Sequence, residues 1–71
     1  MSEDKIIRMA NQIAAFFAVQ PGDRVTPVAA HISENWSAPM RAALLSHVAA
    51  QTPGLDPLVI DAAPKIRPVN M

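Results

Sequence analysis

The sequence predicts an all-α protein: a small bundle of three main helices followed by a short C-terminal helix and an extended tail. Three observations carry that expectation. Hydrophobic residues make up 51% of the 71-residue chain and aromatics only 4%, a balance that suits alanine-rich helices better than strands built from β-branched and aromatic residues. Apolar positions recur at spacings of three and four, the signature of a helix with one buried stripe. Thr26-Pro27 and Asp56-Pro57 each set a capping side chain directly before a proline, the order found where helices begin.

The first helix is expected over residues 3–19, with Ser2 as N-cap and Glu3 and Asp4 in the first turn, where acidic groups favour the macrodipole. Pro21-Gly22 ends it. On a helical wheel Ile6, Ala10, Ile13 and Phe17 form one stripe, flanked by Met9 and Phe16 on one side and by Ile7 and Ala14 on the other. That apolar arc covers about half the helix, wider than the roughly 100° needed to meet one neighbour. Helix one is therefore expected to touch more than one body.

Residues 23–26 read as a loop, with Thr26 as N-cap and Pro27 as the first residue of a second helix that continues to about Trp36. Its inward positions are Val28, Ile32 and Trp36, spaced four apart. Ser37-Ala38-Pro39 breaks this helix and starts a third, which runs to about Ala50 with Met40, Leu44 and Val48 as its stripe and Leu45 widening it. After a loop at 51–54, Asp56-Pro57 opens a short last helix through Leu58, Val59, Ile60, Ala62 and Ala63. Pro64-Lys65-Ile66-Arg67-Pro68 then reads as an extended, polyproline-like segment. The expected division is a helical domain at 1–63 and a Pro-rich basic tail at 64–71, with a core of Ile6, Ile13, Ile32, Trp36, Met40, Leu44, Val48 and Leu58.

Composition also excludes functions. A chain of 71 residues has room for one compact domain, and such cores supply only about 3–5 kcal/mol of net stability. It has no cysteine, which removes disulfides, thiolate catalysis and cysteine-ligated zinc or iron–sulfur centres. Six basic and six acidic residues cancel, so general attraction to nucleic acid or an anionic membrane is not expected. The longest apolar run, residues 13–19, is far short of the roughly 20 residues a bilayer span needs. The acidic, polar start has no apolar segment behind a basic end, which reads as cytoplasmic.

Candidate chemistry is sparse. His31-x-x-Glu34 sets an imidazole and a carboxylate on one helical face, but two groups do not complete a metal site; a local hydrogen bond or packing beside Trp36 is the simpler reading. His47 falls near the Met40/Leu44 stripe and reads as a satisfied, half-buried histidine. No serine sits in a nucleophile elbow, and Gly22 and Gly54 are the only glycines, so neither a triad nor a phosphate-binding loop is supported. Helices two and three could form a helix-turn-helix, yet helix three carries only Arg41 as a cation, which argues against reading DNA. No catalytic or metal-ligating residue is expected. The more informative surface is the polar side of helix one, where Arg8, Asn11, Gln12 and Ala15 point together. Asparagine is a poor helix former in mid-helix, so Asn11 suggests a hydrogen-bonding duty, with a plain solvated face as the alternative.

Arg8-Met9-Ala10-Asn11-Gln12-Ile13-Ala14-Ala15-Phe16-Phe17 resembles the opening motif of the delta subunit family of NAD-dependent, molybdenum-containing formate dehydrogenases. His31-Ile32 with Trp36 and Met40-Arg41 is similar to that family's central segment, and Leu55-Asp56-Pro57-Leu58-Val59 to its closing one. These pieces span nearly the whole chain in the right order. Ala38 and Pro39 stand where the family often has a proline and then a basic residue, so a contact centred on Arg41 is implied more firmly than a two-arginine clamp. The resemblance implies a non-catalytic subunit of a cytoplasmic complex that oxidises formate to carbon dioxide and reduces NAD. In such complexes the large alpha subunit holds the molybdenum bis-pyranopterin cofactor and iron–sulfur clusters, and the beta and gamma subunits carry FMN and further clusters. This chain is expected to bind none of these cofactors, and neither nucleic acid nor membrane. It is expected to dock on the alpha subunit, with Arg8, Met9, Asn11, Gln12, Phe16, Phe17 and Arg41 as the candidate contacts. A free-standing chaperone or cofactor-insertion factor is the second reading, and a small DNA-binding regulator the third.

Overall fold

The computed structural model describes residues 3–68. Four α-helices follow one another: α1 (Glu3–Ala18), α2 (Val25–Asn35), α3 (Ala38–Ala49) and α4 (Pro57–Ala62), with a 3-10 turn at Ala63–Lys65. No strand occurs among the described residues. Ser2, the expected cap of α1, and residues 69–71 of the tail lie outside the described residues.

Of the two cap-plus-proline signals, the one at Asp56-Pro57 marks a helix start as expected, and the third helix begins after Ser37 as its Ser-Ala-Pro sequence suggests. Ser37 accepts a hydrogen bond on Oγ from the Met40 backbone N–H at 3.4 Å and so caps α3. Asp56 accepts from the Leu58 N–H at 2.8 Å and caps α4. The start of α2 differs from the expectation of Thr26 as N-cap: the helix already begins at Val25, Arg24 at the N-cap position makes no side-chain cap bond, and the carboxylate of Asp23 serves the first donors instead. Asp23 Oδ1 accepts from the N–H groups of Val25 (2.9 Å) and Thr26 (3.2 Å), while the Thr26 hydroxyl donates to Oδ2. An aspartate two or three residues upstream reaches two orphan donors with one carboxylate oxygen and keeps the other for the Thr26 hydroxyl. These bonds, the Thr26 hydroxyl first, hold the Asp23 carboxyl below its ordinary pKa of 3.8.

The helices enclose one core. Ile6, Ala10 and Ala14 of α1, Val28, Ala29 and Ile32 of α2, Leu44 of α3, and Val59 and Ala62 of α4 are buried, and Trp36 is only 6% exposed between α2 and α3. Ile13, Met40, Val48 and Leu58 are partly buried and pack against this cluster, as do Met9, Phe17, Val25, Ala43, Leu45 and Leu55. The deepest line of α1 is thus the alanine-bearing row Ile6, Ala10, Ala14 rather than the row through Ile13 and Phe17. Small side chains let neighbouring helices come closest there, which lifts the bulkier residues toward the rim.

The C-terminal segment departs most from its expected extended form. Pro64 and Lys65 belong to the 3-10 turn, which continues from α4 across the 63/64 boundary. Ile66 is only 3% exposed and joins the core. Residues 65–67 then strap along α2. Lys65 Nζ donates to Thr26 Oγ1 at 3.4 Å near the start of that helix, and the Arg67 N–H donates to Ser33 Oγ at 2.9 Å two turns on. Arg41 closes the strap by donating from Nε to the Arg67 carbonyl (3.3 Å) and from Nη1 to the Trp36 carbonyl (2.9 Å). A composition of two prolines and two cations reads as solvated chain, yet one isoleucine between them is enough to anchor it.

Two outcomes check this description. Ile66→Ala should cost about 2–5 kcal/mol, as for buried isoleucines generally, whereas Ile60→Ala, at a position 45% exposed, should cost much less; thermal melts of the two variants compare them directly. Asp23→Asn should lower the melting temperature at neutral pH. Because the folded-state pKa of Asp23 is lowered from 3.8, its stabilisation is complete above that value and is lost as the pH falls through the lowered one. The gap between wild type and variant should therefore narrow below pH 3.8, and a gap that widens there would refute the assignment.

Candidate functional site

Helix α1 carries the most distinctive surface of the described residues. With Ile6, Ala10 and Ala14 turned inward, the 3.6-residue period sends Arg8, Gln12, Ala15 and Phe16 to the opposite side; all four are exposed, as is Val19 just past the helix end. Phe16 is 64% and Val19 82% exposed, values unusual for large apolar side chains. The wide apolar arc of α1 thus ends outside the core on the Phe16 side.

A groove runs along each flank of the Arg8–Gln12 row. The first, about 430 Å³, is lined by Ile7, Arg8, Asn11, Gln12, Ala15 and Pro53, so the four residues of the polar side do converge with a loop residue beside them. The second, about 270 Å³ and almost wholly apolar, is lined by Gln12, Ile13, Phe16, Phe17 and His31. Gln12 is common to both grooves. In the second, the Phe16 ring meets Phe17 edge-on with centroids 5.0 Å apart, and Phe17 meets the exposed His31 imidazole at 6.4 Å. Such edge-to-face pairs fix ring orientation and leave the faces free. His31 therefore packs by Phe17, not beside Trp36.

Two of the polar candidates are engaged within the chain. Asn11 Nδ2 donates to the Gly54 carbonyl at 2.7 Å, and Asn11 Oδ1 accepts from the Asp56 N–H at 2.9 Å. One amide thus clamps the loop that leads into α4, at a turn where Gly54 holds φ +97°, which side chains rarely tolerate. Arg41 is likewise occupied by Trp36 and Arg67, and it lines neither groove. Arg8 and Gln12, by contrast, make no hydrogen bond or ion pair among the described residues. Met9 is half-buried against the core. His47 Nδ1 lies 3.1 Å from Thr52 Oγ1, which accounts for that half-buried imidazole locally.

There is no cysteine in the chain, and among the described residues no three His, Cys, Asp or Glu side chains gather as a ligand set. No helix among them is long and apolar enough to cross a membrane. What sequence reasoning missed is the strap: Ser33, Ile66 and Arg67 form a unit with Arg41 that no helical period connects.

Fold and surface together define a small all-α protein with an apolar, weakly cationic helix face and no ligand set of its own among the described residues. The chain belongs to the NADH-dependent formate dehydrogenase delta subunit (FdsD) family, whose model matches residues 5–63. A delta subunit implies a formate dehydrogenase complex with further subunits. None of the curated proteins matches the chain.

The Asn11 clamp makes a prediction. Asn11→Ala removes two long-range hydrogen bonds and should cost about 1–3 kcal/mol, with accelerated exchange of the Asp56 amide proton. Gln12→Ala, one residue on and free of hydrogen bonds among the described residues, should stay within about 0.5 kcal/mol of wild type. Equal melting temperatures for the two would show that the clamp is not a stabilising element.

Proposed function

We propose that this chain is a non-catalytic subunit that docks on the large alpha subunit of a cytoplasmic NAD-dependent formate dehydrogenase and supports its assembly or stability. The observation that carries the reading is the exposed Phe16 at the lip of an apolar groove with Ile13 and Phe17, on a chain whose family is the delta subunit. A contiguous apolar feature on a small domain marks an interaction surface more often than a solvated one. Aromatic and arginine side chains dominate interface energies. Phe16, Phe17, Arg8 and Gln12 form the centre of the proposed contact, with Met9 and Asn11 beside it and Arg41 as an outlying contact from the α2–α3 corner. The molybdenum bis-pyranopterin, iron–sulfur clusters, FMN and the NAD site belong, on this reading, to the alpha, beta and gamma subunits.

A domain with little stability to spare gains by mass action from any partner that binds only its folded form. The same linkage works in the other direction, since the partner's docking segment is held in its bound conformation. Support for the large subunit thus requires no chemistry from this chain.

Reconstitution of the complex tests this. Phe16→Ala should leave the melting temperature of the isolated chain near that of wild type and weaken binding to the alpha subunit tenfold or more, the size expected of an interface hot spot of about 1.4 kcal/mol or above. Unchanged affinity with intact folding would place the contact elsewhere.

A further inference from the structure

The face around Phe16 also constrains what can lie on it. Arg8, Gln12, Ala15 and Phe16 are all exposed on one side of α1, and the two grooves flank the Arg8–Gln12–Ala15 row. The backbone of α1 is used by its own hydrogen-bond ladder, and no described residue offers a strand edge. An occupant therefore has to satisfy its own peptide groups, which an extended segment cannot do here and a helix does. Ala15, small and exposed between the larger side chains, leaves a point where a second helix can approach closely.

The ends of the face differ in chemistry. At one end the Arg8 guanidinium has no hydrogen bond or ion pair among the described residues, and none of the described side chains that line its groove is acidic. At the other, the groove of about 270 Å³ at Phe16, Phe17, Ile13 and His31 is almost wholly apolar, larger than the roughly 150 Å³ that suffices for a benzene ring. Arg8 and Phe16 are eight residues apart, about 12 Å along a helix axis. A helix crossing α1 at a shallow angle would meet both ends with residues seven or eight apart on one of its own faces.

Building on the docking reading above, we propose that the segment seated on α1 is an amphipathic helix of the partner subunit, which places an Asp or Glu against Arg8 and, two turns away, a Leu, Met or Phe in the Phe16 groove. The carboxylate pairs with the guanidinium and sets the direction of the helix, and the apolar side chain supplies most of the hold.

The test uses the full chain and the alpha subunit purified without it. Arg8→Glu should weaken binding at least tenfold, Arg8→Lys should retain most of it, and Arg8→Gln should flatten the salt dependence; Arg8 is exposed and unbonded among the described residues, so all three variants should melt like wild type. A photo-crosslinking residue at position 15 should label an alpha-subunit segment in which an acidic and a large apolar residue stand seven or eight apart. If Phe16→Ser abolishes binding while Arg8→Glu binds as wild type, docking through this face stands and the acidic helix falls. Should Phe16→Ser bind unchanged, the docking reading itself fails. Crosslinks that join two copies of this chain, or that land on an extended segment, would overturn the proposal as well.

Discussion

Everything in this fold leans on the burial of one helix face. Val28, Ala29 and Ile32 of α2 are sealed from solvent, and α2 meets α1, α4 and the 3-10 turn that follows α4. A domain of this size has no second core to fall back on, and without cysteine it has no covalent staple. Covering the Val28, Ala29 and Ile32 face of α2 is then the condition for folding. The chain meets it with its last described residues: Ile66 fills the remaining gap, and the backbone beyond it is tied along α2 through Ser33 and Arg41.

The polar residues divide by the same logic. Asp23, Asp56 and Ser37 satisfy helix starts, Asn11 grips the loop before α4, and Arg41 gathers the end of α2 and the strap. Each meets backbone donors or acceptors that no helix or strand ladder satisfies. Arg8 and Gln12 do none of this work, and they share a helix side with the exposed Phe16. Side chains that a small domain does not need for its own cohesion are those available to a partner. This gives the α1 face its functional reading within a formate dehydrogenase delta subunit, and it assigns Asn11 and Arg41 a structural task whether or not a partner also touches them.

A division of labour of this kind suits an accessory piece. Aromatic rings held edge-on at Phe16, Phe17 and His31 are already oriented before any contact forms, so little rotamer freedom remains to be lost on binding. The apolar groove beside them is open, and its rim carries the amide of Gln12 rather than a charge. An interface of that composition has a dry centre with a polar border.

The all-α class, the four helices and the starts at Ser37 and Asp56 were legible in the sequence, because helical period and cap-plus-proline signals are local. The motif order along the chain also pointed to the family that its model then matched over residues 5–63. The polar residues Arg8, Asn11, Gln12 and Ala15 could be placed on one side of a helix by counting alone. Counting could not say that Asn11 would spend both ends of its amide on Gly54 and Asp56, 43 and 45 residues away, nor that Asp23 would outcompete Thr26 for the start of α2. It also could not show that Phe16 would stand outside while Ala10 and Ala14 went in, since a wide apolar arc has no unique centre. Least legible was the strap, where Ile66 sits between prolines and cations in a segment with no period at all. Local spacing fixes which residues share a face. Which face is buried, and which solitary side chain closes the core, is settled only when distant parts of the chain compete for the same apolar surface.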